Sequence, residues 1–311
     1  MVTGGCGFIG AALVARLQAL GAEVRVADLT LGPTEALGRV RPQLVQGDLC
    51  DPEVAERAVT RDVTVVFHLA AMTSVLESVA NPAEVYRTNV AMTASILERC
   101  RVLGVGSFVL ASTNAVIGGG LAELGSQATP PAINELAPLR PLTPYGATKA
   151  AGEMLACAYG ASYGMTNCAV RFTNVYGPGM ANKDSFVPRL MRAALNDSLV
   201  HVYGQGAQVR DYLYVSDAVE AMVLAWKSSV TGPLTVGSGV STSVLELVDA
   251  AREATGRPIR TDHIEPPVGE MPAVVVDTSV ARSLGFEPRV CLADGLVETW
   301  RAFARHVEPA L

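Results

Sequence analysis

Thr3-Gly4-Gly5-Cys6-Gly7-Phe8-Ile9-Gly10 is the stretch on which the fold turns. Glycines 5, 7 and 10 satisfy G-x-G-x-x-G, and glycines 4, 7 and 10 the looser G-x-x-G-x-x-G. Residues without Cβ permit a tight turn and close backbone approach, and a helix N-terminus behind them offers amide donors to a pyrophosphate. The apolar pattern over Ile9–Leu20 supplies that helix. Gly4, Gly7, Phe8, Ile9 and Gly10 are therefore expected to cradle a dinucleotide. Such a turn also occurs without a ligand, so its surroundings decide. Only Met1 and Val2 precede Thr3, where a central strand usually runs about five residues. That strand is either short or continued by residues ahead of Met1.

Working outward, Asp28 closes the next β pattern, Val24–Ala27, and stands 18 residues after Gly10. An acid there accepts both ribose hydroxyls of NAD and repels a 2′-phosphate. Arg25 and Arg39 are the nearest basic residues and neither directly follows Asp28, which favours NAD over NADP. Gln43–Gln46, Val63–Leu69, Phe108–Ala111 and Asn167–Phe172 read as further strands. Pro52–Val59, Ala83–Leu103 and Tyr145–Tyr163 read as helices. Strands alternating with helices imply an α/β, Rossmann-type, doubly wound parallel sheet. Asp48 and Leu49, after the third strand, are placed to meet adenine, with a turn or N-cap role for Asp48 as the alternative.

From Thr173 onward the pattern loosens. Helices are expected at Val187–Leu195, Ser216–Trp226 and Val244–Thr255, with loop-rich stretches at Tyr176–Ser185, Tyr203–Val209 and Pro266–Met271. The expectation is a dinucleotide-binding domain over 1–173, revisited by the chain near 208–235, and a smaller C-terminal α/β lobe over 174–311.

Composition narrows the partners. The 311 residues are 50% hydrophobic and 17% charged, which is globular, and the net charge of −6 argues against nucleic acid. Apolar stretches are short and broken, so no membrane span is expected. The six cysteines (Cys6, Cys50, Cys100, Cys157, Cys168, Cys291) and four histidines (His68, His201, His263, His306) show no metal-ligand spacing. No secretory signal pattern opens the chain, so the expected setting is cytoplasmic, with reduced thiols and no metal. His68, inside Val65-Val66-Phe67-His68-Leu69-Ala70, reads as a satisfied strand-end histidine rather than a ligand.

The chemistry points to Pro144-Tyr145-Gly146-Ala147-Thr148-Lys149. Residues i and i+4 share a helix face, so a phenol and an ammonium stand side by side. A nearby positive charge favours the phenolate, making Tyr145 a general base for oxidising an alcohol. The chain has only three lysines, Lys149, Lys183 and Lys227. The plain alternative is an amphipathic helix with a solvated lysine.

Together these residues resemble the extended short-chain dehydrogenase/reductase family, and within it the nucleotide-sugar epimerases and dehydratases. The likeness runs through the glycine loop, Gly47-Asp48-Leu49, His68-Leu69-Ala70-Ala71, Thr88-Asn89-Val90, Ala111-Ser112-Thr113 and Tyr145–Lys149. It continues through Arg171–Pro178 and Arg210–Asp217 and ends at Leu284–Pro288. The resemblance implies that Tyr145 is the base. Lys149 would bind the nicotinamide ribose and lower the tyrosine pKa toward 7, and Thr113 would bond the sugar hydroxyl. It also implies Leu69, Ala70, Ala71, Asn89 and Ser112 along the cofactor. Thr73, Asn114, Asn174, Val187, Arg189, Tyr203, Arg210 and Glu270 would face the nucleotide sugar, and a homodimer would form through Ala83–Leu103 and Tyr145–Tyr163.

Two departures from that resemblance sharpen the reading. In the 4,6-dehydratases Asp and Glu follow the catalytic threonine; here Asn114 and Ala115 stand there. Asn cannot supply that acid nor Ala that base, and the related uronate decarboxylases also look for an acid where Ala115 stands. Relatives often carry an arginine where Pro267 stands, so diphosphate binding should lean on Arg210 or Arg189. What remains is an isomerase, a UDP-sugar 4-epimerase acting on a hexose or hexuronate through a 4-keto intermediate. The rivals are a nucleotide-4-ketosugar reductase, which Asp28 disfavours because NADPH is its natural reductant, and an NAD-sensing module. Lys183, or Arg189, is a candidate for meeting an acidic sugar, against a solvated loop lysine.

Overall fold

A computed structural model describes residues 1–32, 42–118, 132–265 and 273–305. Seven parallel strands form its main sheet: β1 (Val2–Thr3), β2 (Arg25–Asp28), β3 (Gln43–Gln46), β4 (Val65–His68), β5 (Ser107–Thr113), β6 (Thr166–Phe172) and, later in the chain, β10 (Gly232–Val236). Their order across the sheet is β10-β6-β5-β4-β1-β2-β3. The β1 strand is short yet central: Val2 pairs with Val26 on one side and Phe67 on the other. The order reverses beside β1, and in such sheets the crevice beyond the strand C-termini holds the ligand.

Burial on both faces explains the apolar runs. All four residues of β4 are buried, as expected of a strand covered on both sides. One face packs α1 (Phe8–Ala19), through Leu13, Val14 and Leu17, near Val219 and Met222 of a later helix. The other buries α2 (Pro52–Ala58) and α5 (Met92–Leu103), through Val54, Ile96 and Leu97. Between α2 and α5 lie α3 (Val75–Ala80) and α4 (Pro82–Tyr86). The single helix expected over Ala83–Leu103 is instead α4, a π-helical turn at Arg87–Ala91, and α5. Asn89, inside that turn, is buried and takes both backbone groups of Met72: it accepts from the amide at 2.8 Å and donates to the carbonyl at 2.9 Å. A buried amide needs such partners, and the extra residue per turn accommodates them.

Helix α6 (Pro144–Tyr163) starts one residue ahead of the expected Tyr145. Thr143 accepts from the Gly146 amide at 3.2 Å and Pro144 takes the first turn. Beyond β6 the chain builds small sheets and helices: β7 (Asn174–Tyr176), α7 (Phe186–Asn196), β8 (Leu199–Tyr203), β9 (Val209–Tyr214), α8 (Val215–Lys227), β11 (Ser241–Ser243), α9 (Val244–Thr255), β12 (Arg260–Ile264), α10 (Ser279–Ser283) and α11 (Leu292–Arg305). β11-β9-β7 make one sheet and β12-β8 another. Helices α7, α9 and α11 share a core of Leu190, Met191, Leu247, Val248, Leu296 and Phe303. Helix α8 and β10 return to the main sheet, whereas Val209–Tyr214 pairs in the small one. No described helix is long and apolar enough to cross a membrane.

Candidate active site

The loop after β1 is built for close approach. Gly4 holds φ +65°, a conformation that suits glycine. A Cβ there would stand 2.8 Å from the Ala70 amide nitrogen, and one on Gly10 would overlap the Gly4 carbonyl oxygen. Helix α1 begins at Gly7 without a capping side chain. Its first-turn amides, which no helix satisfies internally, border a cleft of about 860 Å³ lined by Gly4, Gly7, Phe8, Ile9 and Gly10.

Asp28 closes β2 at the same cleft, where its Oδ2 accepts from the Cys6 amide at 2.9 Å. Asp48 and Leu49 line it beyond β3. Asp48 accepts from the Cys50 amide at 2.9 Å and pairs with Arg87 at 3.0 Å, which holds its carboxyl below the usual range. Arg87, which sequence reading passed over, also lines the cleft.

Leu69, Ala70 and Ala71 form the wall after β4. The Thr3 hydroxyl receives the Leu69 and Ala70 amides, each at 3.1 Å, and contacts His68 Nδ1 at 2.9 Å. His68 Nε2 contacts the Thr93 hydroxyl at 2.9 Å. Burial, then the charge of Lys149, pushes the His68 pKa down to about 3. It is therefore a neutral scaffold residue, as expected. Asn89 does not line the cleft. It works behind the wall, joining Met72 to the Thr148 hydroxyl at 3.1 Å, and Thr148 in turn donates to the Tyr145 carbonyl at 2.9 Å.

β5 delivers Ser112 and Thr113, and α6 delivers Tyr145 and Lys149, all to the cleft. Tyr145 is pushed up to about 12 by burial, with its hydrogen bond to Thr113 pulling the other way. Lys149 is buried and donates to the Ala111 carbonyl at 3.0 Å. Burial lowers it to about 8, with Glu153 opposing and Lys183 adding to the fall. For the phenol, removal from water outweighs the pull of the Thr113 hydrogen bond.

Thr73 lines the cleft just beyond the β4 wall, and Asn174, Val187, Arg189, Tyr203 and Arg210 line it from the side of the later chain. Asn174 donates to the Asp211 carbonyl at 3.0 Å. Arg189 is held by both oxygens of Asp184, at 2.8 and 2.7 Å, and Arg210 donates to the Val209 carbonyl at 2.9 Å. Asn114 is not at the cleft surface; its Oδ1 accepts from Thr113 at 3.3 Å. Glu270 and Pro267 lie outside the described residues. Met72 and Phe186 also line it; as apolar or aromatic residues outside any motif, they gave no sequence signal.

A glycine cradle at a helix N-terminus, an acid at the end of the second strand and a Thr-Tyr-Lys set share one cleft. This arrangement defines an enzyme that carries out oxidation and reduction at a carbinol carbon with a dinucleotide, and the cradle's missing side chains leave room for one. The description "NAD dependent epimerase/dehydratase family" matches residues 1–236, and the chain belongs to that family. It is 34% identical to the dTDP-glucose 4,6-dehydratase of Streptomyces griseus, covering 98% of this chain and 94% of that one. Among solved structures, the UDP-glucose 4-epimerase of Thermus thermophilus in complex with NAD is 34% identical, with a TM-score of 0.87 and coverage of 97% and 98%. The UDP-glucose 4-epimerase of Thermotoga maritima with UDP-glucose is 33% identical, with a TM-score of 0.88 and coverage of 99% of each chain.

Proposed function

We propose that this chain is an NAD-dependent nucleotide-sugar 4-epimerase that turns over a UDP-hexose or UDP-hexuronate through a transient 4-keto sugar. The observation that carries it is the Thr113–Tyr145 contact beside Lys149, in a cleft with no acid at positions 114 or 115. The machinery needs only to move one proton out and back.

Residues 1–173, with the return at α8 and β10, hold the dinucleotide, and most of 174–311 holds the nucleotide sugar. Gly4, Gly7 and Gly10 with the α1 amides take the pyrophosphate, and Asp28 takes the adenosine ribose. Bound NAD⁺ would supply the hydride acceptor and a positive charge in the cleft. Burial leaves the phenol at about 12, so this charge and Lys149 together must contribute roughly 7 kcal/mol for it to work near pH 7. Tyr145 removes the C4 hydroxyl proton while Thr113 orients that hydroxyl. Lys149 holds the nicotinamide ribose. The keto sugar turns about its diphosphate link, which Arg210 anchors, so that the hydride taken up by the cofactor would come back to the opposite face of C4, while Tyr145 returns the proton to the C4 oxygen. Binding energy from the remote nucleotide keeps the loose intermediate in place.

UDP-glucose and UDP-glucuronate incubated with purified protein and no added NAD(H) should give C4 epimers by NMR. Product only with stoichiometric NAD(P)H would mean a ketosugar reductase, and tight NAD binding without turnover a sensor. Replacing Tyr145 with Phe should lower kcat at least 100-fold with the fold intact; near-normal turnover removes Tyr145 from the role.

We also assign a homodimer, in the cytoplasm. The exposed stripe of α6 is Ala147, Met154, Ala158 and Ala161, and its neighbour α5 exposes Val102. Small apolar residues at helical spacing permit close helix packing across a two-fold axis. Sedimentation should give twice the chain mass, and Met154→Arg should give a monomer; a monomeric wild type sinks the assignment.

A further inference from the structure

We propose that Lys183, braced on Thr73, makes the enzyme select sugars that carry a carboxylate. The inference rests on the epimerase reading above and adds the substrate class to it.

Lys183 lies in the loop between β7 and α7 and lines the same cleft as Thr73, Tyr145 and Lys149. Its Nζ donates to the Thr73 hydroxyl at 3.2 Å, reaching from one wall to the other. Its charge also acts on Lys149.

The other cations lining the cleft have partners. Arg87 is paired with Asp48 at 3.0 Å and Glu84 at 2.7 Å. Arg189 is paired with Asp184, and Lys149 is turned to the Ala111 carbonyl. Arg210 donates to the Val209 carbonyl at 2.9 Å and has a further interaction. Among the described residues no carboxylate lies within 4 Å of the Lys183 ammonium; its hydrogen-bond partner is a neutral hydroxyl. Glu77 lines the same cleft from α3 without pairing with it. Lys183 is exposed at the cleft, and a cation without a carboxylate partner gains from an incoming anion through charge-assisted hydrogen bonds.

The bond to Thr73 also prepares the shape of that site. Thr73 accepts from Lys183, so its own proton stays available to donate. An ammonium and a hydroxyl, 3.2 Å apart, then present two donors to the two oxygens of one carboxylate. The substrate's diphosphate offers oxygens of similar chemistry, and the experiment separates the two sources.

Initial rates with UDP-glucuronate and UDP-glucose are measured for the wild type, Lys183→Met and Lys183→Arg. The wild-type kcat/KM should favour UDP-glucuronate at least tenfold. Lys183→Met should shrink that ratio at least tenfold, chiefly through KM for the uronate, and Lys183→Arg should keep most of it. A wild-type ratio near one overturns the proposal. So does a Met variant that loses both substrates in proportion, which makes Lys183 a diphosphate anchor, or one that changes neither, which makes it a solvated lysine. Absence of turnover on both sugars in the wild type is a different failure, that of the epimerase reading, and takes this proposal with it. Should Lys183→Met not fold, calorimetry on the Tyr145→Phe protein replaces it: at least fivefold tighter binding of UDP-glucuronate than UDP-glucose supports selection, and equal binding overturns it.

Discussion

Tyr145 and Lys149 sit one helical turn apart on α6, and burial pushes both toward their neutral forms, to about 12 and about 8. The spacing was legible in the sequence, but the direction of the shifts was not. Spacing reports which groups meet, whereas desolvation depends on Ala111, Phe172 and the other walls that the fold later brings around them. The Lys149 shift has a consequence for stability. An unfolded chain carries the lysine at its ordinary value of 10.5, against about 8 when folded. Between those values the unfolded state binds more protons, so stability rises with pH through the window. Below pH 8 the cost of a buried ammonium is fully present. Denaturant melts of cofactor-stripped wild type and Lys149→Met should therefore diverge, the wild type gaining about 2 kcal/mol on the variant from pH 8 to 10. Parallel curves would mean that Lys149 is better solvated than its burial implies.

Among the elements, the glycine loop was read correctly because its constraint is local. Gly10 must lack a Cβ since the Gly4 carbonyl occupies that space, and nothing beyond eight residues is needed to see it. The split of the long helix at Arg87–Ala91 was invisible for the opposite reason. It depends on Asn89 reaching Met72 and Thr148, partners 17 and 59 residues away in the chain. β8 was legible but unread: Leu199–Tyr203 alternates exposed and buried residues, the mark of a half-covered strand. The glycines separate fold from binding. Gly10→Ala should destabilise the protein by about 2 kcal/mol or more, as an overpacked contact does, and abolish retention of NAD. Gly7→Ala should be milder. Its Cβ would stand 3.2 Å from the Gly4 carbonyl at an allowed φ of −77°, so the fold should survive. The added methyl should still weaken NAD at least tenfold by crowding the pyrophosphate approach. Thermal melts with and without NAD distinguish the two; equal losses of Tm without cofactor would refute the distinction.

At the scale of the whole molecule, the cleft is a product of both halves of the chain, and that was legible only in part. Motifs marked the dinucleotide side, while the facing wall is made of apolar and aromatic residues that any core also uses. Beneath the dinucleotide side lies a buried ion pair. Glu153 lies one turn beyond Lys149 on α6; with Arg171 of β6 it is almost wholly buried, the two joined at 2.8 to 3.1 Å. Glu153 also accepts from Ser112, which precedes Thr113 on β5. Arg171 donates to the Glu135 carbonyl at 3.3 Å, and the Glu135 carboxylate receives the Thr235 amide of β10 at 2.8 Å. Four elements therefore meet at one salt bridge beneath the catalytic set. Such a pair offsets its own desolvation only while both partners are present. Arg171→Met should cost about 3 to 5 kcal/mol, because it leaves a bare carboxylate in a dry interior. Adding Glu153→Gln removes that charge, so the double variant should be more stable than Arg171→Met alone. Urea melts of the two singles and the double test this coupling. If the double variant is instead the least stable of the three, the pair contributes net attraction beyond mutual neutralisation, and the unpaired-charge account fails.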